Sequence, residues 1–474
     1  MELFDYQKKA LDFFKEKKKI YIAFDMGMGK TITSLACAKE IDGNTLLIAE
    51  NNEIENNKNF EKEVNNHFSD ELGYINLKKE TDIPTEKKVV GGINAESLHK
   101  VDQSFIDTVK VVIIDEATSI KNIKSKRSQK VLEVTEQCEY LIFLSGTPMQ
   151  NGAVEIFSPL LLLQHDMVYE KDVQQAFETV FAGGHYRLRR KLPVGVDTSN
   201  AFYNPKYRYK YFMWWAKGAN NLRELRYLTR DKFFVMTKDE TDIFKKKVRT
   251  IETVPMSTEW YQEYMGAWQE YLKSAKKRDV DMDNVKEMKK LIENGQCYQV
   301  NSRWKASRIA GDIARGKYGT GKIVLFTLFV ETYNEIRNML AYYDVSQETF
   351  DGVENWKQDP SIQVIVGKIK AHGKGTNLPE ASTTIFVDMD FVPANNLQAE
   401  NRIDRPEQKN EMLITYYLTE GDNVDKHVRE INRKKSRAIK EFMRPFTQEE
   451  LDEMPYKIEK LKKKFPEECL LLGI

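Results

Sequence analysis

Short apolar, β-branched runs punctuate the chain. They fall at Ile20 to Phe24, Val109 to Ile114, Tyr140 to Leu144, Ile323 to Phe326, Ile362 to Val366, Thr384 to Val387 and Met412 to Leu418. Each run is continuous rather than alternating, the pattern of strands covered on both faces. Stretches of helical period separate many of them, among them Thr33 to Ile41 and Glu331 to Tyr342. Strand and helix in alternation predict an α/β fold with parallel sheets. The runs gather in two groups, before about residue 150 and after about residue 320, so two sheets are expected. Between them, from Ala153 to about Lys317, the pattern predicts mostly helix, rich in aromatics and charge. Thr447 to Ile474 predicts a short charged helical tail.

Composition narrows the function. The 474 residues carry 73 Lys plus Arg against 72 Asp plus Glu, a net charge of +1. That excludes a globally basic nucleic-acid packer and leaves local basic patches open. Four cysteines, Cys37, Cys138, Cys297 and Cys469, are scattered without a C-x-x-C pair. Neither a disulfide framework nor a structural zinc site is expected. No basic segment followed by an apolar stretch opens the chain, and no apolar run approaches the roughly 20 residues of a membrane helix. The expectation is a soluble protein of the cytoplasm.

The candidate chemistry begins where the first strand ends. Phe24 runs into Asp25-Met26-Gly27-Met28-Gly29-Lys30-Thr31 and then a helix. Gly27 and Gly29 let backbone N–H groups wrap phosphate oxygens, and the helix N-terminus adds a favourable dipole. Lys30 would reach the β- and γ-phosphates and Thr31 would hold Mg²⁺. A strict P-loop has glycine where Phe24 stands. The second strand of the group ends in Asp115-Glu116, acids at the carboxyl end of a buried strand, where a sheet nucleotide site needs them. Asp115 would hold Mg²⁺ through water, and Glu116 would position the attacking water. The third ends in Ser145-Gly146-Thr147-Pro148. Far downstream, Arg402 and Arg405 stand three residues apart, so a helix would put both on one face, suited to a triphosphate. An exposed helix of mixed charge is the plainer reading of that stretch.

Taken in order, these motifs resemble those of the superfamily 2 helicases, specifically their Swi/Snf-type branch. The resemblance runs from Tyr6-Gln7 to about Arg437. Tyr6-Gln7 looks like the adenine-reading glutamine motif, Asp25 to Thr31 like motif I, Asp115-Glu116 like motif II and Ser145-Gly146-Thr147 like motif III. Ala371-His372-Gly373-Lys374-Gly375-Thr376-Asn377-Leu378 looks like motif V, and Gln398, Arg402 and Arg405 like motif VI. Asp388 to Asn395, Lys121-Asn122 and Gln150-Asn151 are typical of the Swi/Snf branch. The chain departs from the pattern at Thr118, where His is usual, at Leu46 to Asn59, which lacks the usual proline, and at His372, where a small residue is usual.

The resemblance implies two RecA-like parallel-sheet domains with helical insertions, using ATP and Mg²⁺. Gln7, Gly27, Gly29, Lys30, Thr31 and Gln398 would bind the nucleotide, and Lys30, Asp115, Glu116, Arg402 and Arg405 would act in hydrolysis. Thr376 and Asn377 of motif V would touch nucleic acid. The expected division is residues 1–237 as the first domain, with an insertion at about 153–235. Residues 238–300 would form a helical linker, 301–445 the second domain and 446–474 the tail.

The insertion interleaves basic and aromatic residues: His185 to Lys191, with Arg187, Arg189 and Arg190, then Pro205 to Trp215, with Lys206 and Arg208. Such a segment suits phosphates and base stacking. Equally, its aromatics can form a small core of their own with solvated charges outside. Arg429 to Lys440 is a further basic run that either tracks a duplex or is a plain solvated helix face. With no accessory module visible, the chain resembles compact phage branch-migration DNA helicases. The expected activity is ATP-dependent remodelling of branched DNA by a monomer. A duplex translocase that displaces proteins, an RNA helicase and a non-hydrolysing, ATP-gated binding module are the rivals.

Overall fold

A computed structural model of the chain describes residues 2–80, 86–116, 120, 125–136, 138–168, 173–189, 201–203, 211–216, 218–277, 296–373, 376–421 and 423–474. Two compact units emerge, Met1–Glu240 with Arg437–Ile474, and Thr241–Ser436. Both are α/β. Among the described residues no helix is long and apolar enough to cross a membrane.

The first unit contributes β1 (Lys19–Phe24), β2 (Asn44–Ile48), β3 (Leu72–Asn76), β4 (Lys88–Ile93), β5 (Val109–Asp115) and β6 (Tyr140–Leu144). A three-stranded antiparallel sheet follows, from β7 (His185–Arg189), β8 (Ala201–Tyr203) and β9 (Tyr211–Trp215), and then β10 (Phe233–Met236). The main sheet is parallel, in the order β10-β1-β6-β5-β2-β4-β3. Parallel strands place all their carboxyl ends on one edge, so the loops after β1, β5 and β6 sit side by side. The central strands are buried end to end: β1 is buried throughout, and Val111 to Ile114 and Leu141 to Leu144 are fully buried. Continuous apolar runs are what two covered faces demand.

The second unit holds β11 (Lys247–Val254), β12 (Lys322–Thr327), β13 (Gln347–Thr349), β14 (Val364–Lys368), β15 (Ala381–Phe386) and β16 (Met412–Thr419). They form a second parallel sheet in the order β11-β16-β15-β12-β14-β13. Its core gathers Tyr298, Ile309, Ile323, Leu325, Ile385 and Val428 on one side and Val324, Phe326, Trp356, Ile365 and Ile414 on the other.

Two sequence expectations are corrected here. Within the insertion, expected to be helical, β7 and β9 instead pair antiparallel from His185↔Trp215 to Arg189↔Tyr211. Alternation of basic and aromatic residues is a period of two, a strand signal in a stretch read as helix. The supposed linker at 238–300 supplies β11, paired with β16 along its whole length from Lys247↔Met412 to Val254↔Thr419. As an edge strand it is largely uncovered, so polar residues separate its few apolar ones instead of a continuous apolar run. The tail holds the helices Gln448–Lys464 and Pro466–Leu471, and its Leu461, Cys469 and Leu472 are buried in the core of the first unit.

Candidate functional site

The site of the first unit is built on the shared carboxyl edge of β1, β6 and β5. After Phe24 the chain turns through Gly27 at φ 85° and Gly29 at φ 73° into the helix Lys30–Lys39. These left-handed values suit glycine. Lys30 Nζ donates to the carbonyl oxygens of Phe24 at 3.1 Å and Asp25 at 3.4 Å, so its ammonium lies over the loop. Asp25 accepts the backbone N–H of Lys238 at 3.0 Å, which ties the end of β10 to the loop. Thr31 is the second residue of the helix, and its carbonyl accepts from Ser34 Oγ at 2.8 Å.

The adenine-motif residues sit against the same loop. Tyr6 Oη donates to the Met28 carbonyl at 3.0 Å, and burial pushes its hydroxyl up to about 12. Gln7 Oε1 accepts the Phe4 N–H at 2.9 Å, and its Nε2 lies 3.5 Å from the Gly29 carbonyl. Thus the N-terminal helix Asp5–Lys17 is fastened to the loop by two consecutive side chains.

Asp115 and Glu116 close β5. Burial and the charges of Glu116 and Glu53 push the Asp115 carboxyl well above the usual carboxylate range, while Lys30 pulls the other way. Crowded, desolvated acids beside a lysine fit a divalent cation, which would relieve the repulsion. Glu116 itself takes φ 49°, a left-handed conformation that costs a non-glycine residue about 1 kcal/mol. Between the two strands stands Ser145, whose Oγ donates to Glu116 Oε2 at 3.4 Å and accepts the Thr147 N–H at 3.1 Å. The acid pair and motif III are therefore joined directly, whatever stands at Thr118. Behind them a Cβ on Gly146 would lie 2.8 Å from Met26 Cγ and 3.3 Å from Lys30 Nζ, so only glycine lets the strand end approach the loop.

In the second unit the motif VI residues follow the helix Pro393–Glu400, which carries Gln398, 5% exposed. The expectation that Arg402 and Arg405 share a helical face is corrected: the helix ends at Glu400, and both arginines lie in the irregular segment after it. Arg402 Nε donates to the Gly373 carbonyl at 2.9 Å and Nη1 to that of Thr376 at 3.3 Å, which binds motif VI to motif V. Burial pulls the Arg405 guanidinium below its ordinary range, and its Nε has no hydrogen-bond partner among the described residues. Asn377 is exposed and Thr376 half-buried. His372 has a structural part: its Nδ1 accepts the Lys368 N–H at 2.9 Å and its ring stacks on Phe350 at 4.7 Å.

Of the expected nucleic-acid contacts, Arg187 and Arg189 lie on β7, while Arg190, Lys206 and Arg208 fall outside the described residues, as do Thr118, Lys121, Asn122, Lys374 and Gly375. At the foot of the small sheet Trp214 Nε1 donates to Glu178 Oε2 at 2.5 Å, and Trp215 is buried. Both indoles are engaged in packing. Sequence reasoning placed Ser145 in motif III but did not name it as the partner of Glu116, and it missed Lys247 and Arg249 of β11. The only signal for the latter was a pair of cations two residues apart in a largely polar stretch.

The human DNA annealing helicase and endonuclease ZRANB3 is 22% identical over 444 residues, covering 89% of this chain and 38% of that protein. A Caenorhabditis elegans SWI/SNF-related matrix-associated actin-dependent regulator of chromatin subfamily A-like protein 1 homolog is 22% identical over 440 residues, covering 88% of this chain and 58% of its own. The chain thus spans less than two thirds of the length of these relatives. The solved Sulfolobus solfataricus SWI2/SNF2 ATPase core in complex with dsDNA superposes with a TM-score of 0.40 at 19% identity, over 98% of this chain and 97% of its own. A family model, the SNF2-related domain, matches residues 6–303, more than half of the sequence, and the chain belongs to that family.

Proposed function

We propose that the chain hydrolyses ATP and uses the turnover to move on DNA, remodelling branched duplexes such as forks and four-way junctions. One observation carries the hydrolytic part: Lys30 and the Asp115–Glu116 pair meet on one sheet edge, with Ser145 joined to Glu116 between them. Lys30 and the amides of the Gly27–Gly29 loop hold the triphosphate. The Thr31 hydroxyl and Asp115 hold Mg²⁺, which neutralises phosphate charge when bound. Glu116 orients the attacking water, and its strained backbone fixes the carboxylate in that orientation. Gln7 meets the adenine. Arg402 and Arg405 supply positive charge to the triphosphate during hydrolysis.

DNA as the track is supported by membership in the SNF2-related family and by the relative ZRANB3, a DNA annealing helicase and endonuclease. The basic stretch around Arg187 to Arg190 and Lys206 to Arg208 supports a contact with phosphates. We expect a cytoplasmic monomer. A second reading is a duplex translocase that displaces proteins without separating strands.

The test is steady-state ATP hydrolysis with single-stranded, blunt duplex, forked and four-way-junction DNA in parallel, at one salt concentration. Strongest stimulation by forks and junctions supports branch remodelling. Equal stimulation by blunt duplex favours the translocase, and stimulation by RNA alone would overturn DNA as the track.

A further inference from the structure

Two cations on the strand mistaken for a linker hold the acids on either side of Arg402. Arg249 Nε donates to both oxygens of Glu400, at 3.0 and 3.1 Å, and its Nη2 donates to Oε2 at 2.6 Å. Lys247, two residues earlier and so on the same face of β11, pairs with Asp404 at 2.5 Å and with Glu400 at 3.6 Å. It also donates to Asn401 Oδ1 at 3.1 Å. From the neighbouring β16, Tyr416 Oη donates to Glu400 at 2.9 Å. The two acids are almost wholly buried, at 2% and 1% side-chain exposure.

The segment these contacts hold has no helical ladder to fix it. Further anchors, besides the bonds of Arg402 to Gly373 and Thr376, are the Leu378 N–H to the Arg402 carbonyl at 2.8 Å and Gln408 Nε2 to the Ala381 carbonyl at 2.7 Å. Buried carboxylates must be paired. If Lys247 were absent, the cation nearest in sequence to Asp404 would be Arg405, whose Nε has no hydrogen-bond partner among the described residues. Asp404 would then capture the guanidinium that hydrolysis needs.

We propose that Lys247 and Arg249 are positioning residues of the arginine segment: by occupying Asp404 and Glu400 they hold Arg402 and Arg405 available for the nucleotide. This rests on the reading that Arg402 and Arg405 act in ATP hydrolysis.

The experiment measures kcat and KM for ATP in the full chain with saturating duplex DNA. It compares the unaltered protein with Lys247→Met, Arg249→Met, Arg249→Lys and the double variant Lys247→Met with Asp404→Asn. Thermal melting confirms that each is folded. Misplacing a reacting group by a fraction of a bond length is costly, so Lys247→Met and Arg249→Met should each lower kcat about tenfold or more, with KM within about twofold. Arg249→Lys keeps the charge, loses the two-pronged contact and should fall between. Removing the acid as well should return kcat to within about threefold of the unaltered protein. A merely structural loss would not be recovered in that way. Unchanged kcat in both methionine variants, or no recovery in the double variant, overturns the proposal. No ATP turnover in the unaltered chain would instead remove the hydrolysis reading, and the proposal with it.

Discussion

Arg223 and Glu450, 227 residues apart in sequence, meet at 2.9 Å. The same guanidinium donates to the carbonyl oxygens of Glu441, Arg444 and Pro445 and lies 3.8 Å from the centre of the Phe446 ring. It thereby caps the end of the helix Val424–Met443 and fixes the start of the tail helix Gln448–Lys464 on the first unit. Arg223→Met keeps the apolar stem and removes every donor. The loss should destabilise the first unit by about 2–4 kcal/mol, the range for a largely buried charge with several hydrogen bonds. Urea unfolding checks this, and an unchanged midpoint would show that the tail is held by its apolar side chains alone.

The pH dependence of this contact has a definite sign. Hydrogen bonds from Arg444, aided by Thr447 and Arg223, hold the Glu450 carboxyl down at about 2, against 4.5 for an ordinary glutamate. A group whose pKa is lower in the folded state adds stability above its unfolded pKa and loses it as pH falls through the folded one. Glu450→Gln keeps the helix cap with Thr447 but not the charge. Thermal midpoints of the two proteins should therefore differ most at neutral pH and converge as pH drops from about 4.5 toward about 2. A gap that stays constant over that window would mean that the carboxylate is not what holds the tail.

The hydrolytic roles separate cleanly by substitution. Glu116→Gln preserves size, and Lys30→Ala removes the ammonium over the loop. A positioned base is worth about 10²–10⁴ in rate, so the first should lower kcat by that factor while leaving nucleotide binding near its original strength. The second should weaken nucleotide binding itself. Both should keep DNA affinity at low salt, measured by fluorescence anisotropy. Retained turnover in either variant would break the assignment.

Which parts were legible follows from how each residue is held. Lys30, Asp115 and Glu116 were readable because local sequence makes them: a buried strand, then glycines or acids at its carboxyl end. β4 was not, since its Gly91 and Gly92 look like a turn. Both are in fact sites of close approach, where a Cβ would meet Phe105 and Tyr74 at 2.6 and 2.2 Å. β11 escaped because an edge strand needs only one covered side. The geometry of Arg402 was hidden for a different reason. Its partners are the carbonyls of Gly373 and Thr376, nearly thirty residues upstream, and no local period encodes them.

The closest packing in the nucleotide loop tests the base-reading role of Gln7. A Cβ on Gly29 would fall 2.5 Å from Gln7 Nε2, and the φ of 73° would cost an alanine about 1 kcal/mol besides. A flexible amide would ordinarily swing away, but Gln7 Oε1 is tied to the Phe4 N–H at 2.9 Å. Gly29→Ala should therefore push the amide off the base. The preference for ATP over GTP, taken as the ratio of their kcat/KM values, should fall toward one in Gly29→Ala and in Gln7→Ala alike. Because both changes remove the same contact, the double variant should lose no further discrimination, although the backbone strain at residue 29 remains and lowers its melting temperature. Full ATP preference in Gly29→Ala would place the base away from Gln7, and additive losses in the double variant would mean that the loop and the amide act on the nucleotide separately.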